Sequence, residues 1–209
     1  PDGSLDASFD PGAGANDAAW AITAQSDGRV LVAGSFTSFA GSVARRVVRL
    51  GADGALDASF APLSGADSTI FGIAELADGH IIIGGDLLHY DGTIQKRAAR
   101  LNEDGTLDLS FNPQTGADWD ILTTLVLPDG RLIIGGAFTR YNGVPCNGIA
   151  RLLPDGALDQ TFQVGSAADL WVEALALADD GKIYVGGNFS SFNGYERLQL
   201  VRLWPDGSV

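Results

Sequence analysis

Four copies of one 51-residue unit follow one another through this chain without insertions. Asp2-Gly3 returns as Asp53-Gly54, Asp104-Gly105, Asp155-Gly156 and Asp206-Gly207. A second pair keeps the same interval: Asp27-Gly28, Asp78-Gly79, Asp129-Gly130 and Asp180-Gly181. Gly34, Gly85, Gly136 and Gly187 align, as do Arg49, Arg100, Arg151 and Arg202, and the series Phe9, Phe60, Phe111 and Phe162. A repeat of about 50 residues is one supersecondary unit that cannot bury its apolar face alone, so copies must stack. The chain is therefore an array.

Within a copy the signals are those of strands. Residues 19–25 (AWAITAQ) form a short segment a, bounded by turn residues. Asp27-Gly28 follows, and Asp-Gly between apolar runs marks a tight hairpin because type I′ turns require positive φ. Segment b reads RVLVAGSF, with HIIIGGDL, RLIIGGAF and KIYVGGNF as counterparts. These runs are continuously apolar, the mark of a strand covered on both faces. Segment c reads RRVVRL. A second Asp-Gly turn leads to segment d, ALDASF, in which Leu56 and Phe60 alternate with Asp57 and Ser59. No segment carries a helical period.

Antiparallel strands, four to a repeat and apolar on both faces in the middle, describe the blade of a β-propeller. The expected architecture is all-β: one domain over 1–209 built from repeats 1–51, 52–102, 103–153 and 154–204, with 205–209 starting a further strand. Four blades predict a small ring, with the N-terminal segment d (residues 4–9) completing the last blade and the protein a monomer rather than a dimer; the alternatives are eight blades formed by two chains, or a piece of a larger ring. One detail pulls against simple closure: PDGSV at 205–209 repeats PDGSL at 1–5, and both cannot start the same strand. That duplication, with a first residue that is not Met, points to an array cut from a longer polypeptide.

The stretch VEALALADDGKIYVGGNFSSFNG (172–194), followed by VRLWPDGS, resembles the delta-sixty repeat over the whole length of the chain. The resemblance implies a propeller and a place in a large bacterial secreted or surface protein. It transfers no active site. These copies are shorter than that family's name implies.

The net charge of −13 argues against nucleic-acid or anionic-membrane partners, which need basic surface. No apolar run approaches the ~18 residues that span a bilayer. Cys146 is the single cysteine, so an intramolecular disulfide and a Cys-based zinc site are excluded.

The b–c and d–a loops are longer and vary more among the copies than the Asp-Gly turns, and strand alternation puts them on the opposite face. Function is expected there. If segment a lines the axis, Asn16, Asp67, Asp118 and Asp169 ring one mouth of the channel, hard oxygen donors suited to Ca²⁺; the competing reading is that they shape the turn into segment a. Trp20, Trp119 and Trp171, in or beside the d–a loops, and Tyr90 and Tyr141 in the b–c loops are candidate ligand-binding aromatics, set against a packing role. The recurrent Arg beside the recurrent Asp of segment d predicts a cross-strand ion pair or an Arg-to-backbone bond. The Gly-Gly pairs predict close blade packing. The leading function is a non-catalytic binding or scaffold module for a protein or glycan, with a structural spacer as one alternative. A glycan-active enzyme is the other, with Asp86, His89, Asp91, Asp118 and Asp120 its only candidates.

Overall fold

The computed structural model describes residues 3–209, so Asp2 of the first Asp-Gly pair lies outside it. The described residues contain strands and turns and no helix. The first repeat supplies β1 (Ala19–Ala24), β2 (Val30–Gly34), β3 (Ser38–Phe39), β4 (Ser42–Val43) and β5 (Val47–Leu50). The second supplies β6 (Ile70–Glu75), β7 (Ile81–Gly85), β8 (His89–Tyr90), β9 (Thr93–Ile94) and β10 (Ala98–Leu101). β11 (Ile121–Val126), β12 (Leu132–Gly136), β13 (Arg140–Tyr141), β14 (Val144–Pro145) and β15 (Ile149–Leu152) form the third. β16 (Trp171–Leu177), β17 (Ile183–Asn188), β18 (Ser191–Phe192), β19 (Tyr195–Glu196) and β20 (Leu200–Leu203) form the fourth. In each blade the b segment is the middle of an antiparallel a-b-c sheet, and a two-residue hairpin caps the b–c loop.

The expected fourth strand is shortened to one bridge in each of the first three blades: Leu50↔Leu56, Leu101↔Leu107 and Leu152↔Leu158. Past that bridge the chain turns, because Asp57 Oδ1 captures both the amide (2.9 Å) and the hydroxyl (2.7 Å) of Ser59. A local side-chain acceptor here outcompetes the ladder.

The blades stack through their a strands in chain order, β1 on β6, β6 on β11 and β11 on β16. Each seam is apolar. Leu31, Ala33 and Val47 of the first blade enter a core with Ile73, Ile81 and Ile83 of the second, and the pattern repeats down the chain. The recurrent arginine laces each seam. Arg151 is buried; its Nε meets Asp159 Oδ2 at 2.7 Å, while its other nitrogens donate to Thr161 Oγ1 (3.1 Å) and, across the seam, to the carbonyl of Pro205 (2.6 Å). Its guanidinium lies 4.7 Å from the centroid of the Phe162 ring. Arg49 and Arg100 repeat the set with Asp57, Ser59 and the Glu103 carbonyl, and with Asp108, Ser110 and the Pro154 carbonyl. Both bonds expected for this arginine are present.

The two glycines of the b strand do different work. At the first, a Cβ on Gly135 would sit 2.6 Å from Val172 of the next blade, which is the inter-blade packing expected. At the second, a Cβ on Gly136 would sit 2.1 Å from the Asp120 carbonyl oxygen of its own blade. The a strands bulge here, between Ala19 and Ala21, Ile70 and Gly72, Ile121 and Thr123, and Val172 and Ala174. Each bulge presses a carbonyl onto the glycine and re-aims one side chain. Those side chains are Trp20, Phe71, Leu122 and Glu173.

The four blades form an open arc. Closure would bridge Leu5 to the last blade, as Leu56, Leu107 and Leu158 bridge theirs, yet Leu5 is 93% exposed. Ile22 of the first blade is 67% exposed where its equivalent Ile73 is 6%. In the last blade Leu200 is 60% exposed where Ile149 is 0%. The ring expected to close on four blades is thus left open at both ends.

Acid should loosen this structure. The Ser59 hydroxyl and amide, with Arg49, hold the Asp57 carboxyl far below the usual range. Burial of Asp159 opposes ionisation, but the Thr161 hydroxyl and amide and Arg151 outweigh it. A carboxylate with a folded pKa below its unfolded value of about 3.9 adds stability that is present above that value and lost as pH falls toward the folded one. Melting temperature should therefore change little between about pH 7 and pH 5 and drop steeply below about pH 4. A melting temperature that is flat through the acid range would contradict the linkage.

Candidate functional site on the loop face

Asn16, Asp67, Asp118 and Asp169 are engaged within their own blades. In each, Oδ1 accepts the amides of two consecutive b–c residues: Thr37 and Ser38, Leu88 and His89, Thr139 and Arg140, Ser190 and Ser191. Thr139 and Ser190 hydroxyls donate to the second oxygens of Asp118 and Asp169 (2.7 and 2.6 Å), and the His89 ring lies 2.8 Å from Asp67 Oδ2. These bonds keep the carboxyls below their ordinary values. Burial opposes the shift at Asp67 and Asp118, while at Asp169 the Ser190 hydroxyl leads it. The expected axial ring is not assembled, and no group of three or more metal-ligating side chains occurs among the described residues. The turn-shaping reading accounts for all four.

Tyr90 and Tyr141 also correct an expectation. Both are fully buried, and their hydroxyls donate to the Gly105 and Gly156 carbonyls (2.8 and 2.9 Å). Burial raises both phenol pKa values. They brace the blade and present nothing to a ligand.

The tryptophans do reach the surface: Trp20, Trp119 and Trp171 are 58%, 60% and 49% exposed. Trp20 stands edge-on to Phe71 (5.9 Å between centroids), and its Nε1 donates to Ser35 Oγ at 2.9 Å. From there a chain of polar groups crosses three blades. Ser35 Oγ meets Thr69 Oγ1 (3.1 Å), Ser68 donates to Asp86 Oδ2 (2.9 Å), and Arg97 pairs with Asp86 and with Asp120 (3.1 Å). Burial and the neighbouring Asp86 charge raise the Asp120 carboxyl. Asp86 itself is lowered, its burial outweighed by Ser68 and Arg97.

The other enzyme candidates serve the loops. Asp91 Oδ1 accepts the Ser64 and Gly65 amides (both 2.7 Å), and the His89 ring pairs with Asp67 at 2.8 Å.

Two clefts open between blades on this face at equivalent positions. One, of about 230 Å³, lies between the third and fourth blades and is lined by Thr139, Asn147, Gly148, Asp169, Leu170 and Trp171. The other, of about 440 Å³, lies between the first and second, with Thr37, Arg45, Arg46, Ser64, Asp67 and His89. Thr139, Asn147, Gly148 and Asp169 of one answer to Thr37, Arg45, Arg46 and Asp67 of the other. The frame is common and the chemistry differs: one cleft joins an indole to the Asp169 carboxylate, while the other sets Arg45 and Arg46 beside Asp67. Arg46, Arg97 and Gln199 hold φ of +74°, +81° and +64° where the third copy has Gly148 at +79°, so the loop keeps one left-handed backbone whatever side chain the copy carries. Sequence reading did not find these clefts. The signal lay in positions that change from copy to copy inside a constant frame, Arg45-Arg46, Lys96-Arg97, Asn147-Gly148 and Leu198-Gln199.

A family model described as a domain of unknown function, the DUF5122 β-propeller, matches residues 25–60, 76–111, 127–162 and 178–209, one match per blade. The chain belongs to this family. Each DUF5122 match begins at an a–b turn, and the first three end on the phenylalanine under the seam arginine. None of the curated proteins matches the chain. Among solved structures it resembles the WD40 β-propeller domain of Doa1 at 15% identity and a TM-score of 0.59, over 90% of this chain and 50% of that one. An extracellular domain from B. thetaiotaomicron is similar at 14% identity and a TM-score of 0.56, over 96% of this chain and 22% of that one. A protein of unknown function from Bacteroides caccae matches at 14% identity and a TM-score of 0.52, over 90% and 64% of the two chains. At these identities the likeness shows the fold alone. This DUF5122 chain thus spans half of the Doa1 chain.

Proposed function

We propose that this chain is a non-catalytic, glycan-binding propeller module of a bacterial secreted or cell-surface protein, with repeats of the delta-sixty type. The observation that carries the reading is the inter-blade cleft at Trp171, where an exposed indole stands beside Asp169, Thr139 and Asn147. An aromatic face flanked by short directional hydrogen-bonding groups suits the alternating apolar and hydroxyl surfaces of a sugar. The paired cleft, with Arg45 and Arg46, adds positive charge and suits an acidic sugar of the same polymer. The extracellular origin of one fold neighbour supports the setting.

Indole emission tests this. Titration with neutral and uronate-containing oligosaccharides should shift the tryptophan fluorescence of the wild type, and Trp171→Ala should weaken binding at least tenfold while melting unchanged. A panel that leaves the emission unmoved would overturn the proposal.

A further inference from the structure

The seam between the second and third blades repeats the loop-face frame of its two neighbours. Position by position, Lys96 answers to Arg45 and Arg140 to His89, two residues that line the cleft of the first seam. Both belong to the two middle blades, which are flanked on either side, and both are held at the seam. A Cβ on Gly116 of the third blade would meet the Lys96 carbonyl at 2.3 Å, just as a Cβ on Gly65 would meet the Arg45 carbonyl at 2.6 Å. Two residues beyond Gly116, Asp118 Oδ1 accepts the Arg140 amide (3.0 Å). The second residue of each basic pair turns away from the rim, Arg46 donating to the Ser35 carbonyl and Arg97 to the Asp86 carbonyl. Lys96 and Arg140 are the cations left there. The Lys96 ammonium has no ion-pair or hydrogen-bond partner among the described residues, and the Arg140 guanidinium reaches only the Gly143 carbonyl (2.9 Å). The carboxyls of this seam are already engaged. Asp118 accepts the Thr139 amide and hydroxyl as well as the Arg140 amide, and Asp86 and Asp120 pair with Arg97. Trp119, which follows Asp118, is exposed.

We infer that the middle seam is the principal anion subsite of the loop face, where Lys96 and Arg140 grip the carboxylate of an acidic sugar and Trp119 takes the face of its ring. The inference rests on the glycan reading and adds to it a third subsite and the placing of charge along the ligand. At the positions of Lys96 and Arg140 the first seam has Arg45 and His89, and the third has Asn147 and Ser191. Asn147 donates across its seam to the Ser166 carbonyl (3.0 Å), so it fills the same station without a charge. From the first seam to the third the rim therefore offers one arginine, then a lysine with an arginine, then neutral groups. A polymer that carries both acidic and neutral units matches this order, with the acidic units on the first two seams and a neutral one at Trp171. The net charge of −13 is spread over the whole chain. Beyond about 8 Å such charge is screened at physiological salt, so the rim cations decide what is held there.

The test is calorimetric titration of the whole chain with a hexasaccharide of alternating glucuronate and glucose, and with the same oligomer after its carboxyls are reduced to alcohols. The wild type should bind the acidic form more tightly, and the difference should shrink as salt is raised. A charge-assisted contact is worth about tenfold or more in affinity, so Lys96→Gln combined with Arg140→Gln should weaken binding of the acidic form by at least about that factor. The reduced form should bind this double variant as it binds the wild type, and melting should be unchanged. Arg45→Gln should cost less toward the acidic form, and Trp171→Ala should weaken both forms alike. A wild type that binds neither oligomer would remove the glycan reading and this inference together. Equal binding of the two forms, or acidic binding that survives the double substitution, would leave the Trp171 reading standing and overturn the middle subsite.

Discussion

Gly136→Ala should destabilise the protein by about 3 kcal/mol or more, at the upper end of overpacking costs. The new methyl would stand 2.1 Å from the Asp120 carbonyl oxygen and 3.0 Å from Ile121 Cα, and both are backbone, so no side chain can rotate away. Relief requires flattening the bulge of β11, which carries the ends of the polar network with it. Gly135→Ala provides the control. Its methyl meets only side chains, Val172 at 2.6 Å and Thr123 at 2.7 Å, and the first blade already carries Ala33 at this position. Urea unfolding of the pair should show a much larger midpoint loss for Gly136→Ala. Equal losses would mean that the bulge is not what demands glycine.

Arg151→Met should cost about 3–5 kcal/mol, the range for breaking one side of a buried ion pair. The loss is more than one contact: Asp159, 7% exposed, keeps only the longer 3.3 Å pair with Arg131, and the Pro205 carbonyl loses its donor across the seam. Arg100→Met should cost less, since Asp108 and Arg100 side chains are 12% and 13% exposed and water can partly replace the guanidinium. Arg202→Met should cost almost nothing, because the residue only rests over the exposed Tyr184 ring. Chemical denaturation of the three variants should rank them in that order. A large loss at Arg202 would contradict the open arc.

Much of the fold was legible because each turn carries its own chemistry. Asp-Gly fixed both hairpins, and the continuously apolar b segments announced strands covered on two faces. The fourth strand is shorter than its pattern suggests for a local reason. ALDASF alternates as a strand does, yet Asp57 and Ser59 two residues apart close a side-chain turn that the alternation hides. The Asn/Asp series looked convergent because repetition places equivalents at one radius, but each spends its acceptor on its own b–c hairpin. Tyr90 and Tyr141 sit among turn residues, and nothing local reveals that their hydroxyls reach the Gly105 and Gly156 carbonyls. The clefts lie between copies, so a reading made one copy at a time misses them.

Hydrogen exchange by mass spectrometry, with and without the oligosaccharide that most shifts the tryptophan emission, tests the loop-face assignment directly. Protection should fall on residues 137–148 and 165–171, around the Trp171 cleft. The same two blades carry a cleft of about 510 Å³ on the turn face, lined by Leu127, Pro128, Leu177 and Pro205. Protection confined to those turns would place recognition on the wrong side of the propeller for this account.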